Sequence, residues 1–126
     1  MSPEPEAAGS SKQAGTQPPA CCPLYHEAVE LIGRRWTGAI VAVLLDHGPM
    51  RFSEIAQAVP ELSDRLLSER MKELESRGVV VRHVESGPPV KVTYELSPCG
   101  HAFQDVALAI QKWGHAMVAD ARPRRR

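Results

Sequence analysis

Along most of the chain apolar residues recur every third or fourth position; after Gly78 the period drops to two. Leu24, Ala28, Leu31 and Ile32 share one helical face. Pro23 before them suits a first helical position, which makes Cys22 the N-cap, and Gly33 ends the run. A second helix is expected from about Trp36 to Asp46, with Trp36, Ile40, Val43 and Leu44 on one stripe, stopping at His47-Gly48-Pro49. Phe52-Ser53-Glu54 opens a third. Ser53 is the expected N-cap, Phe52 a hydrophobic staple before it, and Ile55, Ala56 and Val59 point inward until Pro60 ends the helix. The fourth begins after Ser63, also an N-cap, and runs to about Arg77, where Gly78 closes it. Its core side is Leu67, Met71 and Leu74, and its other side Asp64, Arg65, Ser68, Glu69 and Lys72. Val79 to Val84 and Val92 to Leu96 then read as strands, joined by the Pro-rich connector Ser86 to Val90. Ser97 caps a last helix with Pro98 at its first position, expected to continue unbroken to about Ala121.

Two short helices across a tight turn, followed by two strands and a rigid loop, form the order of a winged helix-turn-helix. The expected fold class is mainly α with a small β-hairpin wing, the N- and C-terminal helices forming a dimer interface. A length of 126 residues suits one domain with a modest core. Residues 1–20 are rich in Pro, Ser, Gly and Ala and are expected to be a disordered tail. The domain spans 21–121, and 122–126 form a basic C-terminal tail. No apolar run approaches the roughly 18 residues of a membrane span, and residues 1–30 hold no signal-peptide core, which points to the cytoplasm and away from a membrane partner.

Net charge is zero, with 15 basic and 15 acidic residues, so bulk electrostatics give no support to nucleic-acid binding. Placement is more informative. A recognition helix meets base edges with its first turn, where Arg65 can donate two bonds to one guanine. Ser53, Ser63 and Ser68 are candidate hydroxyl contacts, and Lys72 flanks them on the fourth helix. Arg51, Arg82 and Lys91, with Arg35, are read as charges that position the phosphate backbone. Arg70 lies beside the apolar stripe; it either reaches a phosphate or folds over the core to pair with Glu73 or Glu69. Trp36 opens an apolar stripe and is read as core in preference to a phosphate donor.

In the last helix Phe103, Val106, Ile110, Trp113 and Met117 recur at alternating spacings of three and four, the pattern of a helix–helix seam. Ala102, Ala109 and Ala116 flank it and permit close approach. A small winged helix already has its core covered, so the stripe is expected to pair with a second copy. Leu24 and Leu31 of the first helix add to that interface, and the resulting two-fold dimer reads an inverted repeat.

The three cysteines, Cys21, Cys22 and Cys99, have neither metal-ligand spacing nor a disulfide-framework pattern. No metal and no cofactor are expected. Cys22 is the candidate sensor, because a helix N-terminus favours a thiolate and so favours its reactions with oxidants and electrophiles. Its own reading as an inert, partly buried thiol stands beside this. No base and orienting group accompany it, so no catalytic residue is assigned and the protein is not expected to be an enzyme.

The residues from Cys22 to about Gly114 resemble the HxlR-type family of transcriptional regulators, relatives of MarR-like proteins. The resemblance rests on Cys22-Pro23, on Leu31 to Thr37 (LIGRRWT), and on Arg51 to Ile55 (RFSEI). It continues through Leu62 to Val80 (LSDRLLSERMKELESRGVV) and Gly87 to Gly100 (GPPVKVTYELSPCG). It implies a dimeric repressor or activator whose partner is double-stranded DNA, with the helix after Ser63 reading bases and the Pro-Pro hairpin as wing. It also implies that the N-terminal cysteine, here Cys22, can sense oxidants or electrophiles. The chain departs from the usual pattern at Cys21, at Cys99 and at Asp64, where proline is common. The alternative is a winged-helix module for protein–protein contact. The inducer, small molecule or oxidant, is not identified by the sequence.

Overall fold

The computed structural model describes residues 22–121. The expected tails, Cys21 and the arginines beyond Pro123 lie outside them. The chain divides into two compact units, one ending at Arg34 and one beginning at Arg35.

Helix α1 (Pro23–Ile32) belongs to the first unit and forms as expected. Cys22 is its N-cap, in extended conformation, and Pro23 opens it. The Gly33 N–H closes it by donating to Val29 O at 2.8 Å. None of its residues is buried.

The second unit starts at the turn before α2 (Thr37–His47). The buried stripe of α2 is Thr37, Ile40, Val41 and Leu44, an i, i+3, i+4, i+7 set. The expected stripe therefore needs correcting at two positions: Val41 takes the place of Val43, and Trp36 is only half-buried. The cause is local. Trp36 adopts φ 76°, ψ −10°, so it stands before the helix and off its wheel. α2 also packs against α3 (Phe52–Ala58), β3 (Lys91–Leu96) and α6 (Phe103–Ala121).

A two-residue strand, β1 (Met50–Arg51), precedes α3 and pairs with β3. No alternation announces so short a strand; β3 creates it by offering its edge. Because the chain enters α3 straight from β1, Arg51 is the N-cap, and the Arg51 N–H donates to Glu54 Oε1 at 2.8 Å. The expectation that Ser53 caps this helix is thus corrected: Ser53 lies inside the first turn and is exposed. Phe52 is likewise the first helical residue and not a staple ahead of the cap.

The turn into α4 (Asp64–Ser76) is pinned by Val59 and Leu62, both buried, and the Leu62 N–H donates to Val59 O at 3.1 Å. Ser63 Oγ then accepts from Leu66 N at 3.1 Å, the expected cap. Leu67, Met71 and Leu74 are all buried. Gly78, at φ 77°, supplies the left-handed residue that releases the chain into β2 (Val80–Glu85).

β2 and β3 form an antiparallel hairpin from Val80↔Leu96 to Glu85↔Lys91, and with β1 they make a three-stranded sheet of order β1-β3-β2. Val80 and Leu96 are buried, whereas β2 beyond Val80 is exposed, so the hairpin projects as a wing. Ser97 ties its base: Oγ donates to Gly78 O at 2.6 Å and accepts from Gly100 N at 3.1 Å, while Ser97 N donates to Val79 O at 2.9 Å.

The unbroken final helix is the last correction. A short α5 (Pro98–His101) ends at Ala102, where ψ flattens to −17°, and α6 begins afresh at Phe103.

Gly100 is buried where a Cβ would press on the Val79 carbonyl oxygen and the Leu96 side chain. Gly100→Ala is expected to destabilise the fold by about 1–3 kcal/mol. Urea denaturation checks this, and an unchanged midpoint would mean that the hairpin base yields freely.

Candidate nucleic-acid interface

With Leu67, Met71 and Leu74 in the core, helical geometry turns Arg65, Glu69 and Lys72 outward and puts Ser68 on the flank. Burial follows this geometry: Arg65, Glu69 and Lys72 are exposed and Ser68 is half-buried. Arg65 lies 3.7 Å from Glu69 through Nε and Oε2, and its side chain is 91% exposed. An exposed pair of this kind holds an arginine weakly, so Arg65 can be transferred to a ligand. Ser63 Oγ spends an acceptor on Leu66 N and keeps its own hydrogen to donate. Asp64 and Glu69 offset Arg65 and Lys72, so the outer face of α4 carries no excess of either sign.

Strand pairing separates the two wing cations. Arg82 stands opposite Tyr94, on the face of the hairpin that continues from buried Val80 and Leu96. Lys91 stands opposite Glu85 on the other face, together with His83 and Glu95. There His83 Nε2 and Glu95 Oε1 are 2.9 Å apart, a diagonal pair that sequence reasoning missed because it depends on the register. A groove of about 450 Å³ runs along that face, lined by Pro49, His83, Glu85, Lys91, Thr93 and Glu95 among others. Two glutamates beside one lysine make it a poor phosphate site.

Arg51 and Ser53 are exposed at the start of α3, at the edge of the same motif. Arg70 has a use that sequence reasoning did not foresee: its Nε donates to the main-chain carbonyl of Arg35 at 2.9 Å. Arg35 itself lies over the Trp36 ring, with Cζ 5.3 Å from the ring centre.

The expected seam on α6 divides in two. Phe103 is half-buried, along with Ala107 and Gly114, whereas Val106, Ile110, Trp113 and Met117 are exposed, Trp113 by 65%. On α1, Leu24 is 75% exposed and Leu31 half-buried. Cys22 is half-buried at the α1 N-terminus and Cys99 is exposed in α5; both are free thiols. Among the described residues no group of His, Cys, Asp and Glu is arranged to hold a metal ion, and no helix is long and apolar enough to cross a membrane.

The arrangement is a winged helix-turn-helix: a capped second helix with an outward polar face, and a projecting hairpin beside it. Known proteins share it. The family model described as HxlR-like helix-turn-helix matches residues 31–122. The transcriptional regulator YodB of Bacillus subtilis is 46% identical over 92 residues, which cover 73% of this chain and 81% of YodB. The solved reduced form of YodB superposes with a TM-score of 0.69 over 73% of this chain and 89% of its own. The oxidised form of the redox regulator HypR, 32% identical, superposes with a TM-score of 0.67 over 75% of this chain and 96% of its own. The chain belongs to the HxlR-like helix-turn-helix family of transcriptional regulators.

Proposed function

We propose that the protein is a homodimeric, sequence-specific DNA-binding transcriptional regulator that reads an inverted repeat and carries a thiol sensor at Cys22. The observation that carries DNA binding is α4: a capped helix whose buried stripe leaves Arg65 and Lys72 facing solvent beside a projecting wing. In this reading the first turn of α4 enters the major groove and Arg65 donates to a base edge. Ser63, Ser68 and Lys72 contact phosphates from the same helix, and Arg51 and Ser53 do so from α3. Arg82 accompanies the wing along the backbone, and Lys91, which shares its face with Glu85 and Glu95, is the weaker of the two wing cations. The expected address, the cytoplasm, follows from this partner.

Dimerisation is supported by the α6 stripe. Val106, Ile110, Trp113 and Met117 form an apolar row in solvent, flanked by exposed Ala102, Ala109 and Ala116. A second copy covers such a row with its own, and Leu24 and Leu31 of α1 are proposed as further dimer contacts. Phe103, half-buried within the chain, anchors the start of the helix.

The sensor reading rests on Cys22 and on the relatives. YodB has been solved in reduced, diamide-treated and quinone-bound forms, and HypR in oxidised and reduced forms. Cys22 is a free, half-buried thiol at the N-cap of α1.

Three measurements test these parts separately. On the gene's own promoter, Arg65→Ala is expected to lose about 1–3 kcal/mol of binding and much less on random duplex. Equal losses would make Arg65 a phosphate contact, and a wild type with neither site preference nor salt dependence would mark a protein–protein module instead. Ile110→Asp is expected to convert dimer to monomer in sedimentation; a persistent dimer places the interface elsewhere. Cys22→Ser is expected to abolish any effect of diamide or a quinone on promoter affinity. If the wild type itself ignores both reagents, the sensor reading is wrong.

A further inference from the structure

Arg70 belongs to α4, the helix proposed above to read DNA, yet its Nε is spent on the protein's own backbone. It donates to Arg35 O across 2.9 Å, between residues 35 positions apart in the chain. That carbonyl belongs to the peptide bond preceding Trp36, whose φ of 76° is the one positive value at a residue other than glycine among the described residues. A bulky residue keeps left-handed backbone only where its surroundings determine it. Two features constrain it here: Arg35 stacks over the Trp36 ring, and the next residue, Thr37, is buried. The orientation of the Arg35–Trp36 peptide therefore does two things at once: it starts α2, and it presents a carbonyl to α4.

This placement gives the bond mechanical weight. α2 is the helix on which α3, β3 and α6 all pack, and α4 packs against β2. The Arg70 bond thus ties the middle of the reading helix directly to the start of the central one. We infer that Arg70 is a positioning residue: it sets the placement of α4 by holding the Arg35 carbonyl, and it does not itself neutralise a phosphate. The inference rests on the DNA-binding reading and adds to it a reason why α4 sits where it does.

Two substitutions separate the roles by chemistry. In glutamine the side-chain nitrogen is as many bonds from the backbone as Nε is in arginine. Arg70→Gln therefore keeps an N–H donor at that point and removes the charge. Lysine has a carbon at that point and keeps the charge, so Arg70→Lys does the reverse. The full-length variants are titrated with promoter DNA and with random duplex over a salt series, and amide hydrogen exchange of α4 is measured without DNA. A positioning role predicts that Arg70→Gln binds like wild type with an unchanged salt slope. Arg70→Lys is expected to lose roughly tenfold on the promoter, the equivalent of one misplaced base contact, with faster exchange in α4. A phosphate contact predicts the opposite order: the lysine variant binds normally, and the glutamine variant loses affinity with its slope reduced by about 0.9. If both variants lose affinity, an unchanged slope with faster α4 exchange supports positioning, and a reduced slope in Arg70→Gln overturns it. Normal binding by both also overturns it. Absence of site preference in the wild type is recognisable before any variant is compared; it removes the DNA-binding reading, and this inference with it.

Discussion

The burial of Leu67, Met71 and Leu74 decides what this molecule can present to a partner. The three residues sit within a narrow arc of the α4 wheel and are almost fully inaccessible to solvent. Burying each contributes about 1.5–3 kcal/mol relative to exposure. Rotating the helix by one residue would swing these side chains toward water and bring charged neighbours into the core. That penalty holds Arg65, Glu69 and Lys72 outward more firmly than any polar contact they make. The Ser63 cap fixes where the helix begins, the buried stripe fixes its rotation, and Arg70 ties its middle to Arg35. Position along the axis and rotation about it are therefore set by separate interactions.

The parts legible in the sequence are those specified over short distances. The α4 stripe repeats at i, i+4 and i+7, and its cap and closing glycine are adjacent to it, so helix, core face and outward face could all be read from the residues. The hairpin announced itself by alternation and by its Pro-rich connector. The failures share a different cause. β1 exists because β3 offers an edge; Arg51, not Ser53, caps α3 because β1 delivers the chain there. Val41 is buried in α2 because that helix has neighbours on several sides, which no single stripe can express. Arg70 and Arg35 are brought together by the tertiary fold, so local periodicity offered glutamates as partners for Arg70 while the structure uses a main-chain carbonyl. The positive φ at Trp36 had no signal in composition, since left-handed backbone is ordinarily marked by glycine or asparagine.

Charge gives a different lesson. The zero net charge of the chain is reproduced by Asp64 and Glu69 beside Arg65 and Lys72 on α4, and on the wing Glu85 and Glu95 outweigh Lys91. A surface balanced in this way does not attract nucleic acid at long range; it holds cations whose neighbours must let them go. Arg65 illustrates the point, being almost fully exposed and only loosely paired with Glu69. Whatever affinity such a surface has for a duplex comes from close, geometrically defined contacts more than from a field.

That balance bears on why the α6 row matters. In the proposed reading each protomer neutralises few phosphates, so a single copy on a half-site is a weak binder by counterion release alone. Joining two copies makes the second contact intramolecular, and such linkage raises overall affinity by about 10²–10⁴ where the geometry permits both to engage. The gain disappears when the spacing between the two reading helices no longer matches the spacing of the half-sites. A switch in such a protein has no need to alter Arg65 or any other contact residue; a small change in how two copies meet is enough. The row from Val106 to Met117 lies on a helix outside the helix-turn-helix and wing, so in the proposed reading the surface where two copies meet is distinct from the surface that reads DNA.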